Sequence, residues 1–382
     1  MQTRTKIIIA IAVTAIIIGI TVAVVQYSNN IYKIYHKPHI PEHIRINYTT
    51  TTQPTIIIVP IAEHVPFDYL NLAFYYCALN KLHKKPFNTL LYLYRNYREY
   101  AKNGIEIVEY PNISKLATAY GINFTKECIN ITGPVVVQYT VIPGKGYKLY
   151  GSVFNCSSTF YKKCLKSNNK TVCRMECSKY IEKSLLSNTN EYLSKAFYSS
   201  RVWFLANVIL LPVPKEIVMG MLGTPEIIYI NLPKRTVLVY LGLQVLPGYG
   251  NFYYALTDAL MKNSVPQNFA MGVKKLFYTC LEAVENANNE TLVKGCFIGA
   301  SSESKGNATL FYISAEGGKF YTGLIAKNVT KENIMKFLEL VKKYGFVVKK
   351  GSNSTYVVMF VSPTCPYCKT EILSLLETGV LG

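Results

Sequence analysis

The sequence predicts an α/β protein carried behind an N-terminal transmembrane helix, and three observations lead to that reading. Two β-branched runs of strand length, Thr55–Ile61 and Tyr356–Val361, each pass through a short proline-containing turn into a helix-like segment. Apolar residues at helical spacing recur between them, as in Ile334, Phe337, Leu338 and Val341. Ile7 to Val25 is nineteen residues without a charge. That is about 28 Å of helix, close to the ~30 Å of a hydrocarbon core. With 382 residues the chain can hold two domains with cores of their own.

The N-terminus sets the expected placement. Arg4 and Lys6 precede the apolar run, so residues 1–26 read as a cytoplasmic tip and anchor with the remainder outside. The expectation is a single-pass plasma-membrane protein with extracytoplasmic domains. A secretory signal is the competing reading, but its apolar region is usually shorter and ends in a small-residue cleavage site. None stands out in Val24–Ser28. Ten N-x-S/T sequons, from Asn47 to Asn353, all follow the apolar run. Ten cysteines fit a disulfide-permissive exterior. Of the net charge of +19, Arg4 and Lys6 account for two, leaving +17 beyond the anchor. Most of it is lysine scattered singly among Tyr and Asn, with no compact basic run, which excludes a nucleic-acid partner.

Residues 27–53 are polar and close in Thr49–Thr52, a stalk. A first unit follows over 54–262. Helices are expected at Leu70–Leu82, Asn88–Lys102 and Ile113–Tyr120, the last capped by Asn112 and stopped by Gly121. Gly133–Tyr150 is β-like. A helical insert over 151–200 holds Cys156, Cys164, Cys173 and Cys177. Nested pairing would staple two helices, but four cysteines permit three connectivities. A zinc site is the alternative, though the spacings fit no standard zinc pattern. Trp203 lies in an apolar run, Val202–Leu211, read as a buried helix. Gly223-Thr224-Pro225 then introduces a hairpin, Glu226–Ile230 and Thr236–Tyr240. An X-Pro bond is the realistic place for a cis peptide, although a trans proline opening a strand is the commoner case.

The second unit, 263–382, begins with a helix near Phe269–Asn288, with Cys280 and Cys296 as a plausible pair. A hairpin, Leu310–Ser314 with Phe320–Ile325, turns at Glu316–Gly318. A helix over 330–344 has Thr330 as N-cap and Gly345 as its stop. A polar link leads to the strand and to Cys365-Pro366-Tyr367-Cys368. A helix N-terminus points unpaired N–H groups and partial positive charge at the first sulfur, so Cys365 is expected to ionise below the ~8.5 of a free thiol. Cys368, one turn into the helix, lies within disulfide reach.

An offset of 300 lays Ile57-Ile58-Val59 on Val357-Val358-Met359 and Pro66-Phe67 on Pro366-Tyr367. Val65 and Asp68 then fall on the cysteine positions. The first unit reads as a copy of the strand–turn–helix frame that has lost its thiols.

These residues carry a resemblance. Cys365-Pro366-Tyr367-Cys368 between strand and helix resembles the active site of thioredoxin-fold disulfide oxidoreductases, with the Pro-Tyr pair of glutaredoxin-like and DsbA/DsbC-like members. The hairpin and helix over 310–344 are similar to the segment before the catalytic domain of DsbC-like proteins. Residues 54–262 resemble a DsbA-like domain. The resemblance implies two thioredoxin-like domains, the first with a helical insertion and no thiols, the second partial. It also implies that Cys365 is the exposed nucleophile and Cys368 the resolving thiol, with Pro366 and Tyr367 beside the substrate. Pro225, after Thr224, would be the cis-proline that receives the substrate backbone. No cofactor is implied beyond the dithiol. The partners implied are secreted or surface polypeptides with thiols or disulfides, the membrane through 7–25, and a redox partner. Fourteen residues follow Cys368. Either the chain is a truncated product, or upstream elements such as 310–344 complete the sheet in another order. A non-catalytic surface glycoprotein, binding polypeptides on its Pro225 face, is the alternative to an oxidoreductase.

Overall fold

The two β-branched runs lie side by side in one sheet. In the computed structural model, β1 (Pro54–Pro60) pairs in parallel with the strand Ser352–Val361. Ile57 stands opposite Val358 and Val59 opposite Phe360. The described residues are 53–63, 67–96, 98–102, 105–109, 113–129, 139–142, 146–149, 166, 190–242, 301–315, 318–377 and 379–381.

After β1 come α1 (Phe67–Leu82), α2 (Pro86–Arg95), β2 (Arg98–Lys102), β3 (Ile105–Glu109), α3 (Ile113–Ala119), a π-helical turn Phe124–Cys128, β4 (Tyr139–Ile142) and β5 (Gly146–Leu149). Then follow α4 (Glu191–Leu210), α5 (Lys215–Met221), β6 (Glu226–Asn231) and β7 (Thr236–Leu241). The last series is β8 (Ser301–Lys305), β9 (Ala308–Ala315), β10 (Gly318–Ala326), α6 (Lys331–Tyr344), β11 (Phe346–Lys349), β12 (Ser352–Val361) and α7 (Pro366–Glu377).

The main sheet has the order β11-β1-β12-β6-β7-β10-β9-β8. Only the β1–β12 pair is parallel. Side chains alternate across a strand, and here both faces are covered. Ile56, Ile58, Val357, Met359, Ile227 and Tyr229 pack with residues of α1, α2, α3 and α7. Ile57, Val59, Val358, Phe360, Ile228 and Ile230 pack with residues of α4, α5 and α6. All seven residues of β1 are buried, which is why its sequence is unbroken apolar rather than alternating. A smaller antiparallel sheet has the order β2-β3-β4-β5.

Two glycines let the backbones around β1 approach. A Cβ at Gly345 would sit 2.5 Å from the Ile58 carbonyl oxygen, and one at Gly351 would sit 2.5 Å from that of Pro54. Helix α6 forms as its sequence demands. The Thr330 hydroxyl accepts the Asn333 N–H at 3.1 Å, and Ile334, Phe337, Leu338 and Val341 form the buried stripe.

Several expectations are corrected. Strands from both expected units share one sheet, so the division at 262/263 does not separate two sheets. The strands on either side of β12 both come from upstream, β1 and β6. The matching frames at 57–59 and 357–359 are neighbours in parallel register at an offset of 301, because any two buried parallel strands that feed helices share that pattern. The helix expected over Asn88–Lys102 stops at Arg95, and Arg98–Lys102 is a strand paired with β3. The polar link after Gly345 contains β11, which covers the outer edge of β1.

The fold class and placement are corrected as well: among the described residues, no helix is long and apolar enough to cross a membrane. An N-terminal transmembrane helix and a single-pass plasma-membrane placement therefore find no support in the fold. The reading of 7–25 as an anchor falls outside the described residues. So do those of 27–52 as a stalk, of Val65, of the paired cysteines in 151–189 and of the helix with Cys280 and Cys296.

Candidate thiol site between two strand ends

The carboxyl ends of β1, β12 and the segment entering β6 converge on one point. The helices that follow the parallel pair, α1 after β1 and α7 after β12, begin at that end of the sheet. Helix α7 begins at Pro366, a residue suited to the first helical turn because it has no N–H to leave unpaired. Cys365 precedes it and Cys368 lies within its first turn. The Cys368 N–H donates to Cys365 Sγ at 3.1 Å. The Cys365 thiol donates to the Thr224 carbonyl at 3.5 Å. The Thr224–Pro225 peptide is cis. Thr224 and Pro225 thus belong to the same site as the dithiol, not to a separate thiol-free groove.

Burial differs from the expectation of an open nucleophile. Cys365 is 3% exposed and Cys368 fully buried. Tyr367, at 36%, is the exposed residue of the motif, and Pro366 is half-buried. The Thr224 carbonyl, seated on the first sulfur, accounts for part of that cover.

The turn before α7 is held by residues of the first strand–helix unit. Asp68, in the first turn of α1, is fully buried. Its Oδ2 accepts the Glu63 N–H at 2.6 Å, and its Oδ1 accepts the Ser362 hydroxyl at 2.9 Å and the Thr364 hydroxyl. Tyr94 of α2, also fully buried, donates its hydroxyl to the Ser362 carbonyl at 2.9 Å. Burial first, then the Cys368, Cys365 and Asp68 charges, holds the Tyr94 phenol well above its ordinary value. Asp68 therefore occupies no vacated thiol position; it reaches across to the one dithiol among the described residues.

Glu63, just past β1, is half-buried and engages Thr224 with both carboxylate oxygens. Oε1 accepts the Thr224 N–H at 3.3 Å and Oε2 accepts its hydroxyl. The Cys368 thiol is pushed well above its ordinary value. Burial is the largest cause, followed by its hydrogen bond to Cys365, the Cys365 charge and, more weakly, the Glu63 charge; Thr224 opposes them.

Helix α4 supports this corner from the opposite face of the sheet through three residues spaced four apart. Ser199 Oγ accepts the Ala62 N–H at 3.0 Å. Trp203 Nε1 and Asn207 Nδ2 donate to Glu226 Oε2, at 2.5 and 3.0 Å. Glu226 follows Pro225 directly and is fully buried. Burial raises its carboxyl to about 7 against the opposing effect of the Trp203 and Asn207 hydrogen bonds. With two N–H donors on Oε2, the proton of the neutral acid belongs on Oε1.

Cys77 and Cys128 form a disulfide joining α1 to the π-helical turn. Among the described residues no cluster of His, Cys, Asp and Glu could hold a metal ion.

Sequence reasoning names Cys365, Cys368, Thr224, Pro225, Pro366 and Tyr367, and the structure brings Cys365, Cys368 and Thr224 into direct contact. It gives no part in the dithiol site to Glu63, Asp68, Tyr94 or Glu226. A glutamate opening the otherwise apolar Glu226–Ile230 strand was a usable signal for a buried acid. The others have no local signature. Comparisons with protein families, with curated proteins and with solved structures find no match to this chain.

Proposed function

We propose that the chain is a thiol–disulfide oxidoreductase acting on polypeptide substrates through Cys365 and Cys368. The observation that carries this reading is the contact set of the first sulfur. Cys365 sits at a helix N-terminus, accepts the N–H of Cys368 at 3.1 Å, and faces Thr224 across 3.5 Å. A buried second thiol stands behind it. Such an arrangement suits attack by Cys365 on a substrate disulfide, release of one substrate thiolate, and resolution of the mixed disulfide by Cys368. The two enzyme thiols are oxidised to a disulfide and the substrate disulfide is reduced to two thiols; the reverse direction oxidises the substrate.

The strand arrangement supports a thioredoxin-like scaffold in permuted chain order. The dithiol strand β12 has a parallel neighbour, β1, and an antiparallel hairpin, β6–β7, entered through Thr224–Pro225. The exposed Tyr367 edge is where a polypeptide would lie. The test is insulin reduction with dithiothreitol by the full-length protein. Turnover is expected for wild type and loss to the uncatalysed rate for Cys365→Ser. Equal rates for the two proteins would sink the reading.

A further inference from the structure

At 3% exposure, Cys365 cannot meet a disulfide on another polypeptide unless part of the fold moves. The cover over its sulfur includes the Thr224 carbonyl, 3.5 Å from Cys365 Sγ. Thr224 ends a short connection, residues 222–224, that runs from α5 into the cis peptide.

The two sides of this contact are built differently. On one side, three successive amides are anchored one by one. The Ile61 N–H donates to the Val361 carbonyl at 2.9 Å, that of Ala62 to Ser199 Oγ at 3.0 Å, and that of Glu63 to Asp68 Oδ2 at 2.6 Å. Those acceptors belong to β12, α4 and α1, so three elements fix the Glu63 backbone. On the other side, Leu222 and Gly223 are half-buried, and a Cβ added at Gly223 would meet nothing within 4 Å. The connection has room to swing about Pro225, whose carbonyl is held by the Gly242 N–H at 2.8 Å. Glu63 ties it to the anchored side with both carboxylate oxygens: Oε1 accepts the Thr224 N–H at 3.3 Å and Oε2 accepts the Thr224 hydroxyl.

We propose that Glu63 is a latch: its carboxylate holds Thr224 with the carbonyl over Cys365, and release of that two-point grip exposes the sulfur. The proposal rests on the assignment of Cys365 as the reacting thiol and adds how access to it is controlled. In the latched state the N–H, hydroxyl and carbonyl of Thr224 are all engaged, so an arriving polypeptide finds neither a free donor nor an open sulfur. An extended backbone brings carbonyls of its own and can take over the Thr224 N–H as Glu63 lets go. Glu63 is itself half-buried, so it can turn its carboxylate toward water on release and no charge is stranded in the interior. The open sulfur is then a minor state that substrate draws out. Between encounters the covered thiol is shielded from small oxidants.

The test follows alkylation of the reduced full-length protein by iodoacetamide, with the modified cysteine assigned by fragmentation mass spectrometry. The rate is taken on the plateau reached at high pH, where the thiol is fully ionised. Removing the Glu63 charge shifts the pH at which that plateau begins, whereas opening the latch raises the plateau itself. Glu63→Ala loses both bonds and should raise the Cys365 plateau about tenfold, within what hydrogen bonds to a charged group supply. Glu63→Gln keeps an acceptor and should fall between that variant and wild type. Thr224→Val loses the hydroxyl bond but keeps the N–H one; it should give about threefold. In a Glu63→Ala background it should add nothing, since both changes act on one contact. Cys368, fully buried, should stay unmodified throughout, which separates an opened latch from a loosened fold.

An unchanged plateau in both Glu63→Ala and Thr224→Val would overturn the latch and leave the oxidoreductase standing. Modification of Cys368 together with Cys365 in these variants would also overturn it. Raised plateaus confined to Cys365, in a protein without Cys365-dependent insulin reduction, would uphold the latch and overturn the catalytic reading.

Discussion

Glu226 makes a quantitative prediction about stability and pH. The folded protein keeps its carboxyl protonated up to about 7, whereas the reference carboxyl titrates at 4.5. The folded state therefore binds the proton more tightly than the unfolded chain. The resulting stability is present in full below the unfolded value and is lost as pH rises through about 7. The displacement corresponds to about 3 kcal/mol. Glu226→Gln keeps the shape and an oxygen for the Trp203 and Asn207 donors while removing the titration. In urea unfolding, wild type and Glu226→Gln should be of similar stability at pH 4.5. By pH 8.5 the Gln variant should be the more stable by about 3 kcal/mol. Glu371 on α7 is also raised by burial to about 7, but it is common to both proteins and cancels in the difference. A stability difference independent of pH would refute the argument, since it would mean that the native state does not hold this proton.

Other outcomes follow from the contacts around the site. Cys77→Ala with Cys128→Ala opens a link across 51 residues, and chain entropy sets the loss at about 4 kcal/mol by urea unfolding; a loss under about 1 kcal/mol would show that the denatured chain is not constrained by that loop. Asp68→Ala strands the Glu63 N–H and two buried hydroxyls, with an expected loss of about 3 kcal/mol, whereas Asp68→Asn should recover part of it because it keeps an acceptor.

Local chemistry was readable in the sequence where one short segment decides it. The stripe and caps of α6, the hairpin at 226–240 and the Cys365–Cys368 motif depend on neighbours within a few positions, and all sit where their residues place them. The pairing of β1 with β12 could not be read that way. Both strands are buried on two faces, so each presents an unbroken apolar run, and two such runs look like copies whether they lie in separate domains or side by side. The short edge strand Phe346–Lys349 is half-buried, so lysines on either side disguise it. Glu63, Asp68 and Tyr94 were missed for a related reason. Each acquires its role from residues some 160 to 300 positions away, through contacts that no spacing rule encodes. Asp68 shows this well: by sequence it is an acid in a helix's first turn, and by structure it is the clamp of a turn belonging to another strand.

The parallel pairing of β1 with β12 also has a consequence for the order of events in the making of this protein. The two strands are about 300 residues apart in the chain, and Glu63 and Cys368 are separated equally. At 5–20 residues per second, β1 leaves the ribosome roughly 15–60 s before its central neighbour does. For that interval the strand Pro54–Pro60, apolar on both faces, has neither β12 on one edge nor β11 on the other. Such a segment is a template for pairing with any other unsatisfied strand. Among the described strands, β1 is thus made early while the neighbours that cover its two edges, β11 and β12, come some 290 to 300 residues later, so both edges need protection during synthesis.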